Sequence, residues 1–341
     1  MGSRPLVYTS DDRSVLLPFY RKLLVEPLLG FLPPTLSPNA ITHVGHLVHL
    51  LGVAMLLALR PKSGWPYLVA TLCLTLYVWC DNADGAHARR TGQCSPLGEF
   101  LDHGLDQLNT VYIALLTAMA LDPSPLWWVA IAILIPGAAV VAYWEQSNTG
   151  VFRLGLLNQV ESSIVLSGAL LTTAALGQDF WDRELAPGVP LSLPLLVWTA
   201  VTILFGMARG IIIVARRATP FATLPIMAFL GLHGAVFLAA SAHAITPMAA
   251  VAIVTAANVS LGTRMLAQRL REEAPRTEPA VVGWLLTVSG ALAWQLVTRP
   301  SEPPSPSLSL ALAVMACLHF GLQSLVDARS GLSLVRAHAV K

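Results

Sequence analysis

Apolar residues along the chain gather into runs of about twenty, the length at which an α-helix crosses the hydrocarbon core of a bilayer, separated by Pro, Gly and clusters of charge. Ten such runs fit, at approximately 41–59, 65–82, 97–120, 125–143, 160–176, 192–214, 221–240, 246–264, 280–297 and 307–326. The pattern predicts an all-α integral membrane protein with about ten transmembrane helices. Ahead of the first run, residues 13–31 (RSVLLPFYRKLLVEPLLGF) mix Leu and Phe with Arg and Lys and contain prolines. That mixture suits an amphipathic segment lying in the interface, so residues 1–36 read as an N-terminal interfacial segment and 37–341 as a ten-helix membrane domain. Arg21, Lys22 and Glu26 interrupt the first apolar stretch, and no cleavable signal peptide is read there.

Composition sharpens this picture. Of 341 residues, 55% are hydrophobic and 12% charged, about half the charged share of a soluble globular protein, and the mean hydropathy is +0.64. Cys73 and Cys80 lie in one apolar run, Cys94 in a polar loop and Cys317 in another apolar run, a scatter that excludes a disulfide framework and lacks metal-ligand spacing. A net charge of +2 gives no basis for binding nucleic acid. The basic residues are strongly sided. With ten crossings, one side collects Arg4, Arg13, Arg21, Lys22, Arg89, Arg90, Arg153, Arg216, Arg217, Arg269, Arg271, Arg276, Arg329, Arg336 and Lys341, and the other only Arg60, Lys62, Arg183 and Arg299. Positive charge marks the cytoplasmic side, so both termini and the loop after the second span are expected there.

Carboxylates inside apolar spans are costly and point to function. Four gather in LYVWCDNADGAHARRTGQCSPLGEFLDHGLDQLNT, at Asp81, Asp84, Asp102 and Asp106. If the second helix continues far enough, Asp81, Asp84, Gly85, Ala88 and Arg89 share about 140° of its surface. Ser95 and Pro96 offer an N-cap and first position for the third, on which Gly98, Asp102 and Asp106 repeat every four residues along one face. Two antiparallel helices would thus aim four carboxylates at one another. Such a cluster needs hard cations, and an all-oxygen set suits Mg²⁺ or Mn²⁺, most simply as two ions. Gly85, Ala88 and Gly98 leave room for a ligand, and Arg89 supplies a cation for a phosphate oxygen, which together describe a pyrophosphate site.

These residues read DxxDGxxARx8GxxxDxxxD without departure, and in this the chain resembles the CDP-alcohol phosphotransferases. SPLGE before the third span, His103 after Asp102, the upstream SPNAIT (Ser37 to Thr42) and the downstream YWEQSNTG (Tyr143 to Gly150) resemble the choline and ethanolamine phosphotransferase branch, although Ala86 and His87 stand where that branch often has Lys-Gln. The resemblance is firm from about 37 to 161 and implies a catalytic core at about 37–215. The implied reaction moves phosphoethanolamine or phosphocholine from a CDP-alcohol to the hydroxyl of diacylglycerol or a related lipid alcohol, releasing CMP. Its implied partners are CDP-ethanolamine or CDP-choline, the lipid acceptor and the bilayer, with a homodimer left open. The host membrane would be the bacterial inner membrane or, in a eukaryote, the endoplasmic reticulum or Golgi. The alternatives are a phosphatidyltransferase that uses CDP-diacylglycerol with a polar alcohol acceptor and, more remotely, a cation transporter.

Within that reading, Asp81, Asp84, Asp102 and Asp106 are the metal ligands. The acceptor hydroxyl needs a base. His103 lies about 60° around the helix from Asp106 and carries an imidazole, a group whose unperturbed pKa is near neutrality, and Asp106 itself is the alternative. Asn39 is assigned by resemblance to the CDP pocket, with Gly85, Ala88, Arg89 and Gly98 as further substrate contacts. Tyr143, Trp144 and Glu145 offer an aromatic and acidic pocket for an ammonium head group. Glu161 reads as a helix-start acid or a second head-group contact. His43, His46 and His49 read as polar lining or helix pairing before metal ligation, and His319 and Asp327 receive no role.

Overall fold

The computed structural model describes residues 9–59, 61–155, 158–217, 220–271, 273, 275–300 and 302–339, with side chains for all of these except 9, 10, 220, 221 and 335–339. Of the charges that set the expected orientation, Arg4, Arg60 and Lys341 lie outside the described residues, as does the Arg336 side chain.

A strand β1 (Thr9–Asp12) leads into two short helices, α1 (Leu17–Tyr20) and α2 (Glu26–Leu29), joined without a break by a π-helical stretch at Arg21–Val25. Leu17, Val25 and Leu29 are buried while Phe19, Leu23 and Phe31 stand exposed, so the segment has two apolar sides, one packed on protein and one exposed. Ten long helices follow, one for each predicted run: α3 (Pro38–Leu59), α4 (Trp65–Thr91), α5 (Pro96–Leu121), α6 (Pro125–Thr149), α7 (Gln159–Leu176), α8 (Ser192–Arg217), α9 (Leu224–Ser241), α10 (Pro247–Leu270), α11 (Pro279–Thr298) and α12 (Pro306–Ala339). β2 (Val151–Leu154) pairs with β1, and β3 (Glu184–Ala186) with β4 (Val189–Pro190). The protein is an all-α membrane protein. Among the described residues, eight of these ten helices are long and apolar enough to cross a bilayer; the other two are α4 and α5, whose apolar character is diluted by their acids.

The chain divides into two compact units, one comprising the residues to Asp122 together with Phe152–Thr202, the other Pro123–Val151 together with the residues from Ile203 onward. In the first unit α4 packs between α3 and α7, and α5 packs on both of those helices. The α3–α4 seam runs on small residues spaced by seven. A Cβ on Gly45 would fall 2.6 Å from Cys80 Cβ, and one on Gly52 would fall 2.8 Å from Cys73 Cβ. All four cysteines are free, and two of them serve here as small knobs against glycine holes, the close packing that membrane helices use.

In the second unit α10 packs on α6 and α12, and α9 on α11, around an apolar core that includes Leu232, Val236, Ile253, Val288 and Phe320. One arginine there bridges two acids. Arg264 on α10 reaches Glu278 before α11 (2.7 Å) and Asp327 on α12 (3.0 Å). Burial, reinforced by Asp327, holds the Glu278 carboxyl above its usual range despite that arginine.

Candidate active site

The carboxylates are positioned by the ends of α4 and α5. The α4 helix runs nine residues past its apolar stretch and stops at Gly92, which adopts the left-handed conformation (φ +69°) that closes a helix at little cost only for glycine. Ser95 then caps α5 as expected, its Oγ accepting from the Gly98 amide at 3.1 Å, with Pro96 in the first turn. A short loop thus reverses the chain between the two acid-bearing helices.

Asp81, Asp102 and Asp106 converge, each offering a carboxylate oxygen, with all three oxygens within 4.8 Å of one another. Two full charges at that distance repel by about 3.5 kcal/mol at an effective dielectric near 20, so three pairs amount to roughly 10 kcal/mol, comparable with the whole stability of a domain. The cluster must therefore hold cations or protons. Three hard oxygen ligands suit a divalent ion such as Mg²⁺ or Mn²⁺. The neighbours orient the cluster. Gln159 Nε2, on the first turn of α7, donates to Asp81 Oδ2 (2.8 Å) and to the Tyr77 hydroxyl (3.3 Å), which in turn donates to Asp106 Oδ1 (3.2 Å). Asn82 donates to the oxygen of the same glutamine amide (3.2 Å), which fixes its nitrogen toward the acids.

Asp84 is buried and takes a separate position, accepting from Thr42 Oγ1 on α3. Arg89 folds back over Gly85: a Cβ there would lie 3.3 Å from its Nη1. Gly98 faces α3, where a Cβ would lie 3.2 Å from Asn39 Oδ1, so Asn39 and Gly98 meet at one edge of the site. Ala88 is buried on α4. The His103 ring is buried and stacks on Phe152 (5.5 Å, 27°).

The remaining expected residues sort differently. His49 meets Asn109 through Nδ1 (3.1 Å) and stacks on Tyr77 (4.5 Å, 14°), which makes it a brace for the tyrosine and pairs α3 with its neighbours. Glu161 is a helix-start acid: it completes a capping box with Asn158 and also accepts from Ser14 and Leu16. Tyr143, Trp144 and Glu145 belong to the second unit. All three are buried, the Trp144 indole donates to the Ala222 carbonyl (3.2 Å), and a Cβ on Gly210 would fall 2.9 Å from Glu145 Oε2. Sequence reasoning missed Tyr77, Gln159, Asn82, Thr42 and Asn109. Tyr77 carried a signal, since it stands one turn before Asp81 on the acidic face of α4.

Fold and acids together define a polytopic helical membrane protein with a carboxylate site built into its helices. Residues 35–204 match the family model for CDP-alcohol phosphatidyltransferase, and the chain belongs to that family. Curated relatives include cholinephosphotransferase 1 of Gallus gallus, 34% identical over 188 residues that make up 52% of this chain and 55% of that protein. The Xenopus laevis protein of the same name is 32% identical over 201 residues (55% and 49%), and the Homo sapiens one is 33% identical over 162 (46% and 40%). The chain thus spans about half the length of the curated relatives it matches.

Proposed function

We propose that the protein transfers phosphocholine or phosphoethanolamine from the CDP-alcohol to the hydroxyl of diacylglycerol or a related lipid alcohol. The observation that carries this reading is the convergence of Asp81, Asp102 and Asp106 from two helices in a chain of this family. Phosphocholine is favoured by the names of the relatives.

In the proposed reaction the lipid hydroxyl oxygen attacks the phosphorus next to the alcohol. That P–O bond forms as the anhydride P–O bond breaks, CMP leaves with the electron pair, and the hydroxyl proton passes to a base. Asp81, Asp84, Asp102 and Asp106 would hold one or two divalent ions, which when bound neutralise the pyrophosphate and stabilise the leaving phosphate. Arg89 binds a phosphate oxygen, and Gly85, Ala88 and Gly98 leave space for the pyrophosphate beside the backbone. Asn39 contacts the CDP moiety. His103 takes the hydroxyl proton, with Asp106 as the other candidate. Tyr143, Trp144 and Glu145 are proposed as head-group contacts on their chemistry, aromatic faces and a carboxylate for an ammonium. The catalytic core is placed at about 37–215 within a ten-span domain, with the site and both termini cytoplasmic.

The test is a parallel assay of purified protein with CDP-choline, CDP-ethanolamine and CDP-diacylglycerol, each with its acceptor. The expected result is phospholipid and CMP from one or both of the first two. Turnover of CDP-diacylglycerol with a polar alcohol, and of neither CDP-alcohol, would exchange the roles of donor and acceptor. Metal flux without CMP release would make the protein a transporter.

A further inference from the structure

The N-terminal segment reaches the carboxylate cluster. It is fastened ahead of α1 by Ser14 and Leu16, which donate to Glu161 Oε1 (2.7 and 2.9 Å), and by Asn158, which donates to Asp12 (2.6 Å). It is fastened again at Leu24, whose carbonyl accepts from the Trp79 indole (3.2 Å). Tyr20 and Arg21 lie between these two anchors. Tyr20 packs with Val25 and Leu29 on Ile41, Cys80 and Ala83, beside Asp81, and burial followed by that carboxylate pushes its hydroxyl up to about 12. Tyr20 and Val25 are five residues apart, a spacing that a regular α-helix would turn to different faces and that the π stretch brings to one. The Glu26 amide accordingly bonds the Arg21 carbonyl, closing the wider turn, and such turns recur at functional positions.

The same turn begins at Arg21, next in the chain to Tyr20 and its packing beside Asp81, while Arg89 folds back over Gly85, the residue after Asp84. The two acids of α4 thus each have their own arginine. Both arginines are exposed residues, and among the described residues neither makes a hydrogen bond or ion pair, so both forks are open to a ligand. Charge counting gives the second arginine a use. With two divalent ions bound, the four carboxylates would be cancelled, a CDP-alcohol pyrophosphate would bring two negative charges, and Arg89 would answer one of them. An uncompensated charge in a partly buried site is expensive.

We propose that Arg21, presented by the π turn of the N-terminal segment, binds a phosphate oxygen of the donor's pyrophosphate and completes with Arg89 a two-arginine clamp. The proposal rests on the functional reading above for the identity of the donor, and on the fold alone for the placement of Arg21.

The experiment compares the full-length wild type with Arg21→Ala and Arg21→Lys in lipid nanodiscs. The readouts are KM and kcat for the CDP-alcohol, Mn²⁺ affinity by electron paramagnetic resonance without donor, and the thermal midpoint. Arg21→Ala should raise the donor KM roughly tenfold with little change in kcat, since one phosphate contact is lost. It should also tighten Mn²⁺ severalfold, because a competing cation leaves the neighbourhood of Asp81. Arg21→Lys should restore the Mn²⁺ affinity and only part of the KM, an ammonium having no fork. Loss of docking would weaken donor and metal together, and that outcome, or an unchanged KM, overturns the proposal. A wild type that turns over no CDP-alcohol defeats the functional reading and with it the donor contact. Tighter Mn²⁺ in Arg21→Ala would still establish the place of Arg21 at the cluster, and unchanged Mn²⁺ would refute it.

Discussion

Asp81 accepts the Gln159 amide on one oxygen and lies within 4.8 Å of Asp102 and Asp106, so its surroundings are made by α4, α5 and α7 at once. Asparagine keeps the shape and removes the charge. Asp81→Asn or Asp102→Asn should therefore lower activity by at least roughly 10²-fold while the protein remains folded and extractable, and excess EDTA should silence the wild type. Full turnover in EDTA would remove the metal from the mechanism. For His103, which stacks on Phe152 one step around α5 from Asp106, the expected loss in His103→Ala is roughly 10² to 10⁴ in kcat with donor binding little changed. A mutant that binds donor far more weakly yet turns over normally at saturation would pass the proton to Asp106. The acids were legible in the sequence because spacings of three and four residues put each pair on one helical face whatever else the fold does. Gln159 and Thr42 were not, since neutral side chains from α7 and α3 carry no spacing signature and reach the acids only through packing. For the same reason, the separate hydrogen bond that Asp84 makes to Thr42 could not be read from the motif.

At the level of elements, hydropathy located every long helix but mistook some of their ends. It placed the second run at 65–82, whereas α4 continues to Thr91, and the fourth at 125–143, whereas α6 continues to Thr149. Apolar residues mark where lipid ends, and backbone hydrogen bonding continues beyond that point until a left-handed glycine stops it, at Gly92 and Gly150. The α3–α4 seam was also hidden, because its glycines and cysteines look unremarkable until they face one another. It carries a direct test. A methyl at Gly45 would sit 2.6 Å from Cys80 Cβ, and relief requires the helices to separate. Gly45→Ala should destabilise the protein by about 1–3 kcal/mol, the usual cost of overpacking, and lower the thermal midpoint. Adding Cys80→Gly should recover part of that loss by emptying the facing position, less about 1 kcal/mol for a second helical glycine. If Gly45→Ala melts like the wild type, the seam is looser than these distances imply.

Across the whole molecule, the division into two compact units was illegible because the ten runs resemble one another in length and composition, and nothing in an apolar run says which others it will pack against. Orientation is better encoded. Fifteen basic residues fall on one side and four on the other if all ten long helices cross, α4 and α5 included. Were one acid-bearing helix alone to stop short of crossing, every later loop would change sides and the split would narrow to six against thirteen or eight against eleven, so the charge pattern is most one-sided when both cross. The loop between them, from Arg89 to Ser95, should then face the cytoplasm. Cys94 is a natural reporter, being exposed in that loop, while Cys73 and Cys80 are buried. In sealed, right-side-out vesicles a membrane-impermeant maleimide should leave Cys94 unmodified and should label it once the membrane is opened, with Cys94→Ser as the blank. Ser63, exposed in the loop between α3 and α4, provides the opposite control, because Ser63→Cys in the Cys94→Ser background should react from outside in the intact vesicle. Labelling of Cys94 before the membrane is opened would invert the topology and place the carboxylate site on the far side from any cytoplasmic CDP-alcohol.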